Sequence, residues 1–223
     1  MKDNLTEIAV IVDRSGSMEN IWKDTLGGLR SFIDDQKKLD GEANFTLTVF
    51  DTEHDLIHDR VDLKKVDHSK YNFGPRGGTA LYDAIGTTVN KLGEKLALQK
   101  EEERPSKVIV AIFTDGGENS SVEYKKEAVM KMIKEQEETY NWTFLFMAAG
   151  KEAFEESVNL GISSGSTVMY AANSVNTTSA YANLSKVVGT SRGMSSADYQ
   201  VYKSNLNMTK EFDEEADKLK ANP

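Results

Sequence analysis

Three short stretches of the sequence carry oxygen-bearing side chains at spacings that suit a metal ion. In Asp13-Arg14-Ser15-Gly16-Ser17 a carboxylate is followed by two hydroxyls at alternating positions. Thr79 follows the pair Gly77-Gly78, and Asp115 stands within Thr114-Asp115-Gly116. Two carboxylates and three hydroxyls are all hard oxygen donors, a set that suits Mg²⁺, Ca²⁺ or Mn²⁺ rather than zinc. The two aspartates formally neutralise a divalent ion, and the hydroxyls add contacts without adding charge. Such an ion stays electrophilic and can accept one more anionic oxygen. Mg²⁺ prefers six ligands at about 2.0–2.1 Å and keeps some waters, so a position open to solvent is expected.

These side chains act together only if the fold brings the three stretches to one place. Glu7 to Asp13 is an apolar run without alternation, as expected of a parallel strand covered on both faces. Trp22, Leu26, Leu29 and Ile33 recur at helical spacing, which predicts a helix from Met18 to Lys38. Gly27 and Gly28 lie inside it at a cost of about 1 kcal/mol each against alanine, so close packing is the expected reason for them. Phe45–Phe50 is the second strand. Asp55–Val61 turns back beside it, antiparallel and at the edge, because the connection is too short for a crossover helix. Helix and strand then alternate: a helix from Thr79 to Lys100, a strand at Val108–Phe113, a helix around Val129–Ile133, and a strand at Trp142–Met147. A short helix at Glu152–Val158, a strand at Thr167–Tyr170 and a helix from Asn176 to Arg192 complete the series. The pattern predicts a doubly wound α/β domain over residues 1–193, with a mostly parallel six-stranded sheet, one antiparallel edge strand and helices on both faces. In such a sheet ligands sit outside the carboxyl ends of the strands, where strand order reverses, and Asp13 and Asp115 both stand at strand ends.

Residues 194–223 form a further amphipathic segment. Ser195-Ser196-Ala197-Asp198 reads as a capping box, and Tyr199, Tyr202, Leu206, Thr209, Phe212, Ala216 and Leu219 fall on one face of a single helix. One apolar stripe normally faces its own core, so the helix is expected to dock on the domain.

The bulk numbers narrow the partners. The 223 residues suffice for one sizeable core, and no linker, repeat or low-complexity run divides them. A formal charge of -9 with a pI near 5.0 argues against nucleic acid or an anionic membrane as the main partner. There is no cysteine, hence no thiolate chemistry or disulfide, and no apolar run approaches the length of a membrane span. The first residues carry no signal-peptide pattern, and a cytoplasmic location is expected.

Asp13-x-Ser15-x-Ser17, Thr79 after a Gly-Gly pair and Asp115 within Thr-Asp-Gly together resemble the metal-ion-dependent adhesion site of the von Willebrand factor A domain family, and the order of strands and helices matches over residues 5–192. The resemblance implies a Rossmann-like fold and a divalent ion, Mg²⁺ or else Ca²⁺ or Mn²⁺. It implies that Ser15 and Ser17 bind this ion directly. Thr79 and Asp115 exchange between direct and water-mediated contact, and Asp13 acts mostly through water and hydrogen bonds. The open position takes an aspartate or glutamate of a protein ligand. It also implies that the helix from Asn176 to Arg192 moves with the coordination. The flanking aspartates of integrin β subunits are replaced here by Asn20-Ile21, so no second metal is expected. Without cysteines or a secretion signal, the chain resembles the intracellular bacterial and phage members, some of which assemble with AAA+ ATPases.

Other residues have more than one reading. Arg14 and Arg76, in two of the metal loops, could rim the site and attract an acidic ligand, or each could pair with a neighbouring carboxylate. Glu118 could tune the site or be a plain loop residue. Asp83 suits a helix N-terminus. His54 and His58 share one strand face if the segment is extended, where zinc is conceivable, although exposed edge histidines are commonplace. Tyr71 and Phe73 are either exposed contact anchors or buried pins for the loop before Thr79.

The leading function is a non-enzymatic, metal-dependent adaptor or assembly module. Two others fit the same residues. One is a phosphatase-like hydrolase with Asp13 as nucleophile, although the acid/base position two residues on is Ser15 and no histidine lies in the three loops. The other is a structural subunit whose metal only knits the loops together.

Overall fold

Ile8 to Val12 are fully buried, and this unbroken run is the middle of the strand on which the sheet is built. The computed structural model describes residues 1–210, 212 and 213. Its strands are β1 (Lys2–Asp13), β2 (Glu42–Phe50), β3 (His54–Asp62), β4 (Pro105–Thr114), β5 (Thr143–Ala148) and β6 (Thr167–Met169). They form one six-stranded sheet in the order β3-β2-β1-β4-β5-β6. Only β3 runs antiparallel; the other pairs are parallel. The sheet has the doubly wound architecture expected from the alternating pattern.

Side chains of β1 alternate between two apolar layers. Ile8, Val10 and Val12 join the layer under α1 (Trp22–Lys37) and α5 (Ser174–Gly193). Ala9 and Ile11 join the opposite layer under α2 (Leu81–Ala97), α3 (Lys126–Tyr140) and α4 (Lys151–Asn159). Strand order reverses between β1 and β4, where Val12 pairs with Phe113. The next residues along, Asp13 and Thr114, therefore end their strands side by side.

The helix predicted from Met18 begins as a 3-10 segment at Gly16–Ile21 and becomes α-helical only at Trp22. Of its two glycines, Gly28 is the packing position: a Cβ there would meet three atoms of Tyr181 at 2.3–2.9 Å. Gly27 has nothing within 4 Å of such a Cβ, so packing does not explain it.

His54 and His58 do not share a face. The β2–β3 register shifts on both sides of Leu47, which pairs with His58. These irregularities break the two-residue alternation. His58 packs against the rings of Phe45 and Tyr71, with centroids 6.1 and 5.6 Å away, in the α1 layer. His54 instead lines a small cavity with Thr48, Thr88 and Lys91 on the α2 side.

The C-terminal segment is not one continuous helix. α6 spans Ser196–Ser204, with the Ser195 hydroxyl accepting the Asp198 N–H as its cap. At the break, the Asn205 amide donates to the carbonyl of Val201, and Asn207 accepts the N–H of Lys210, opening a new turn. Tyr199 is buried with its hydroxyl 2.6 Å from that of Thr143, and Phe212 packs on Tyr170. Ala216 and Leu219 of the predicted stripe lie outside the described residues. Among the described residues, no helix is long and apolar enough to cross a membrane.

Candidate metal centre

The reversal of strand order leaves a crevice at the carboxyl ends of β1 and β4, and Asp13, Ser15, Ser17, Thr79 and Asp115 come to it from three loops. Asp13 is fully buried. Its Oδ2 accepts the Thr114 hydroxyl at 2.6 Å, and its Oδ1 accepts the Ser15 N–H at 2.6 Å. The hydroxyls of Ser15 and Ser17 are 3.1 Å apart, and Ser17 Oγ donates to Asp115 Oδ1 at 2.7 Å. A Cβ built on Gly116 would lie 3.8 Å from Ser17 Oγ and 3.9 Å from Thr79 Oγ1, so both hydroxyls border the same small space. Ser15 and Thr79 are buried, whereas Ser17 is exposed and Asp115 only partly covered. The mouth therefore lies on the Ser17–Asp115 side.

Backbone bonds lock the loops together. The Gly16 N–H donates to the carbonyl of Gly77 at 3.1 Å, and Arg76 N–H to that of Arg14 at 2.8 Å. Thr79 O accepts the N–H groups of Asn119 and Ser120, while Thr79 N–H donates to Asn119 Oδ1 at 2.8 Å. The paired glycines serve different needs. Gly77 has φ 67, in the left-handed region that favours glycine. Gly78 lets the third loop approach: a Cβ there would be 2.2 Å from Ser120 Oγ and 2.9 Å from Asn119 Oδ1.

The electrostatics favour a cation. Burial pushes the Asp13 carboxyl up to about 6 against the pull of its hydrogen bonds from Thr114 and Ser15, with the Asp115 charge adding to the rise. Burial also raises Asp115, and Glu152 at the start of α4 contributes to it. Neither carboxylate forms an ion pair with a side chain among the described residues. Two covered carboxylates with no cationic partner, beside three hydroxyls, fit a hard divalent ion. No three His, Cys, Asp or Glu side chains gather as a metal cage among the described residues. The cluster is hydroxyl-rich and holds two carboxylates.

The rim residues are placed differently from the ligand-facing reading. Arg14 is 5% exposed, and its guanidinium is taken up by Asp51 at 2.7 Å and Asp55 at 2.6 Å. Arg76 bonds the same Asp51 oxygen at 2.8 Å and Glu53 at 3.2 Å, keeping about half of its side chain exposed. Pairing with neighbouring carboxylates is thus the arrangement of both arginines. Glu118 accepts the N–H groups of Ser120, Ser121 and Tyr82, so it shapes its own loop and caps the start of α2. Asp83, on the first turn of α2, also accepts N–H groups from Val122, Glu123 and Tyr124. Tyr71 is buried and Phe73 packs edge-on against Trp22, whose indole N–H donates to the Phe73 carbonyl; both aromatics pin the loop before Thr79.

Thr114, Asn119 and Asp51 belong to this site and do not stand out in the sequence. A hydroxyl, an amide and an acid at strand or loop ends are ordinary there. Only Asp51 carries a visible sign, as an acid directly after the end of β2 at Phe50.

No protein-family model matches the sequence, and no curated protein matches it. Solved structures do match in fold. The von Willebrand factor domain of the type V pili tip protein Mfa5 from Porphyromonas gingivalis superposes with a TM-score of 0.62 at 10% identity, covering 85% of this chain and 96% of that one. Manganese-loaded TRAP protein of Plasmodium vivax gives 0.58 at 14% identity, over 80% of this chain and 72% of that chain. Proximal thread matrix protein 1 from the mussel byssus, with zinc in its metal-ion-dependent adhesion site motif, gives 0.59 at 16% identity. That match covers 82% of this chain and 46% of the byssal protein, so the chain spans about half of that protein's length. These likenesses contradict the cytoplasmic placement, because the similar chains include a matrix protein of the mussel byssus and a pilus tip protein, both outside the cell. The lack of cysteine was no guide to compartment: a sheet with two apolar layers has core enough without cross-links. The chain has the fold of a von Willebrand factor A-type domain.

Proposed function

We propose that this chain is a non-enzymatic protein-binding module that captures a carboxylate of its partner through a divalent cation. Ser15 and Ser17 would hold the ion directly, Thr79 and Asp115 directly or through water, and Asp13 through water and hydrogen bonds. The ion, Mg²⁺ or else Ca²⁺ or Mn²⁺, would supply an electrophilic position for an Asp or Glu oxygen of the partner. The observation that carries this reading is the meeting of the Ser15, Ser17 and Thr79 hydroxyls with two carboxylates that have no cationic partner among the described residues, around a mouth on the Ser17–Asp115 side.

The chain's own residues favour capture over hydrolysis. Both Asp13 oxygens already accept hydrogen bonds, from Thr114 and Ser15, which ill suits a nucleophile. Two acids on the neighbouring loop and helix, Glu118 and Asp83, are occupied with backbone N–H groups. The neighbouring Arg14 is spent on Asp51 and Asp55. The remaining work is to hold the oxygens in place and keep one side open.

The test is a pull-down with Mg²⁺ and with EDTA, using wild type and Asp13→Ala and identifying captured proteins by mass spectrometry. Partners retained only by wild type in Mg²⁺ support the proposal. Capture indifferent to both EDTA and the substitution contradicts it.

A further inference from the structure

Asp51 directly follows β2, outside the set of donors that face the crevice. It is 2% exposed. Its Oδ2 accepts from Arg14 Nε at 2.7 Å and from Arg76 Nε at 2.8 Å, while Oδ1 accepts the Glu53 N–H at 2.9 Å. Its backbone carbonyl accepts the N–H of Ala80 at 2.8 Å. Every one of the three inter-loop contacts falls close to a donor of the site. Arg14 separates Asp13 from Ser15, Ala80 follows Thr79, and Arg76 leads into Gly77-Gly78-Thr79. The two arginine segments also bond each other through Arg76 N–H to Arg14 O and Gly16 N–H to Gly77 O.

Burying charged groups costs several kcal/mol per ion unless they are well paired. Asp51 and Arg14 are 2% and 5% exposed and meet that cost by pairing with each other at 2.7 Å. The pairing fixes the spacing between the Ser15–Ser17 loop and the Thr79 loop through side chains that are not themselves donors to the crevice. We infer that Asp51 is a positioning residue, which clamps Arg14 and Arg76 so that the first two loops present their hydroxyls to the cation already aligned. This rests on the metal-binding reading above. Outer-shell groups that orient metal ligands are typically worth about ten- to a hundredfold in metal affinity.

The test compares wild type, Asp51→Asn and Arg76→Ala by Mn²⁺ titration calorimetry and, without metal, by amide hydrogen exchange. Asp51→Asn is expected to bind Mn²⁺ about ten- to a hundredfold more weakly than wild type. In the metal-free protein it is expected to speed exchange at Gly16, Arg76 and Ala80 while Val10 and Val110 in the central strands stay protected. About half of the Arg76 side chain is exposed, so Arg76→Ala is expected to spare the fold. It should move affinity and exchange in the same direction as Asp51→Asn. Wild-type affinity and wild-type exchange in Asp51→Asn would overturn the inference, as would uniformly faster exchange reaching the central strands. If Asp51→Asn does not fold, the same unchanged results in Arg76→Ala overturn it. A wild type that takes up no Mn²⁺ would instead sink the metal reading itself.

Discussion

The hydroxyl of Ser17 donates to Oδ1 of Asp115 at 2.7 Å across 98 positions of sequence. This contact joins the loop after β1 to the loop after β4 on the side of the crevice that faces water. Because Ser17 is exposed and Asp115 is only partly covered, it is also where an incoming ligand would meet the site.

Divalent metal should stabilise the fold. A ligand at a hundred times its Kd adds about 2.7 kcal/mol to the unfolding free energy. For a domain of this size that amounts to about 5–10 °C in Tm. Thermal unfolding in saturating Mg²⁺ and in EDTA should differ by this amount in wild type and should coincide in Asp115→Ala. Coincident curves in wild type would speak against a metal site.

Thr114→Val deletes the hydroxyl that Asp13 Oδ2 accepts at 2.6 Å inside the protein. Valine keeps the shape but leaves a buried acceptor unmatched, so a loss of about 1–3 kcal/mol is expected by urea denaturation. A change within error would mean that another donor replaces it.

Gly28→Ala and Gly27→Ala should diverge although the two positions are adjacent. At Gly28 a Cβ would lie 2.3–2.9 Å from Tyr181, whose ring is held by stacking on Phe113 at a centroid distance of 4.0 Å. Overpacking there should cost about 1–3 kcal/mol. Gly27 has open space around the same atom, so alanine should gain about 0.5–1 kcal/mol from helix propensity. Denaturation midpoints of the two variants on opposite sides of wild type would bear this out; equal shifts would not.

His58 should make the fold sensitive to acid. Burial among Phe45 and Tyr71 lowers its pKa below 6.5, and its Nε2 has no hydrogen-bond partner among the described residues. As pH falls through 6.5 the unfolded chain takes the proton first, so this contribution to stability is lost on the way down to the folded pKa. Burial raises the carboxyls of Glu7 and Asp13, which gives a trend of opposite sign, so the comparison must be made against His58→Phe. The stability of wild type relative to His58→Phe should fall between pH 7 and pH 5. A constant difference would show that His58 does not titrate differently in the two states.

That the Asp13–Ser17, Thr79 and Asp115 stretches meet was readable because their chemistry is rare in combination. A buried β-branched run ending in an aspartate, followed by serines at alternating positions, has few other uses. Where β3 runs was readable too, since four residues or fewer between it and β2 leave only an antiparallel return. What could not be read depends on long-range pairing. Arg14 sits among the donors, and its inward pairing is decided by Asp51, which is 37 positions away. His54 and His58 were separated by register shifts around Leu47 that no local pattern announces. The terminal helix broke because Asn207 caps a new turn, while its apolar spacing ran on unchanged. Compartment was not readable from cysteine at all.

The central claim is that three loops present their oxygens to one divalent cation with a position left open. An anomalous difference map from crystals soaked in MnCl₂ tests this directly. The account predicts a single strong peak within coordination distance of Ser15 Oγ and Ser17 Oγ, with Thr79 and Asp115 bound directly or through water. A map without a peak between these loops, or with manganese only elsewhere on the surface, would contradict it.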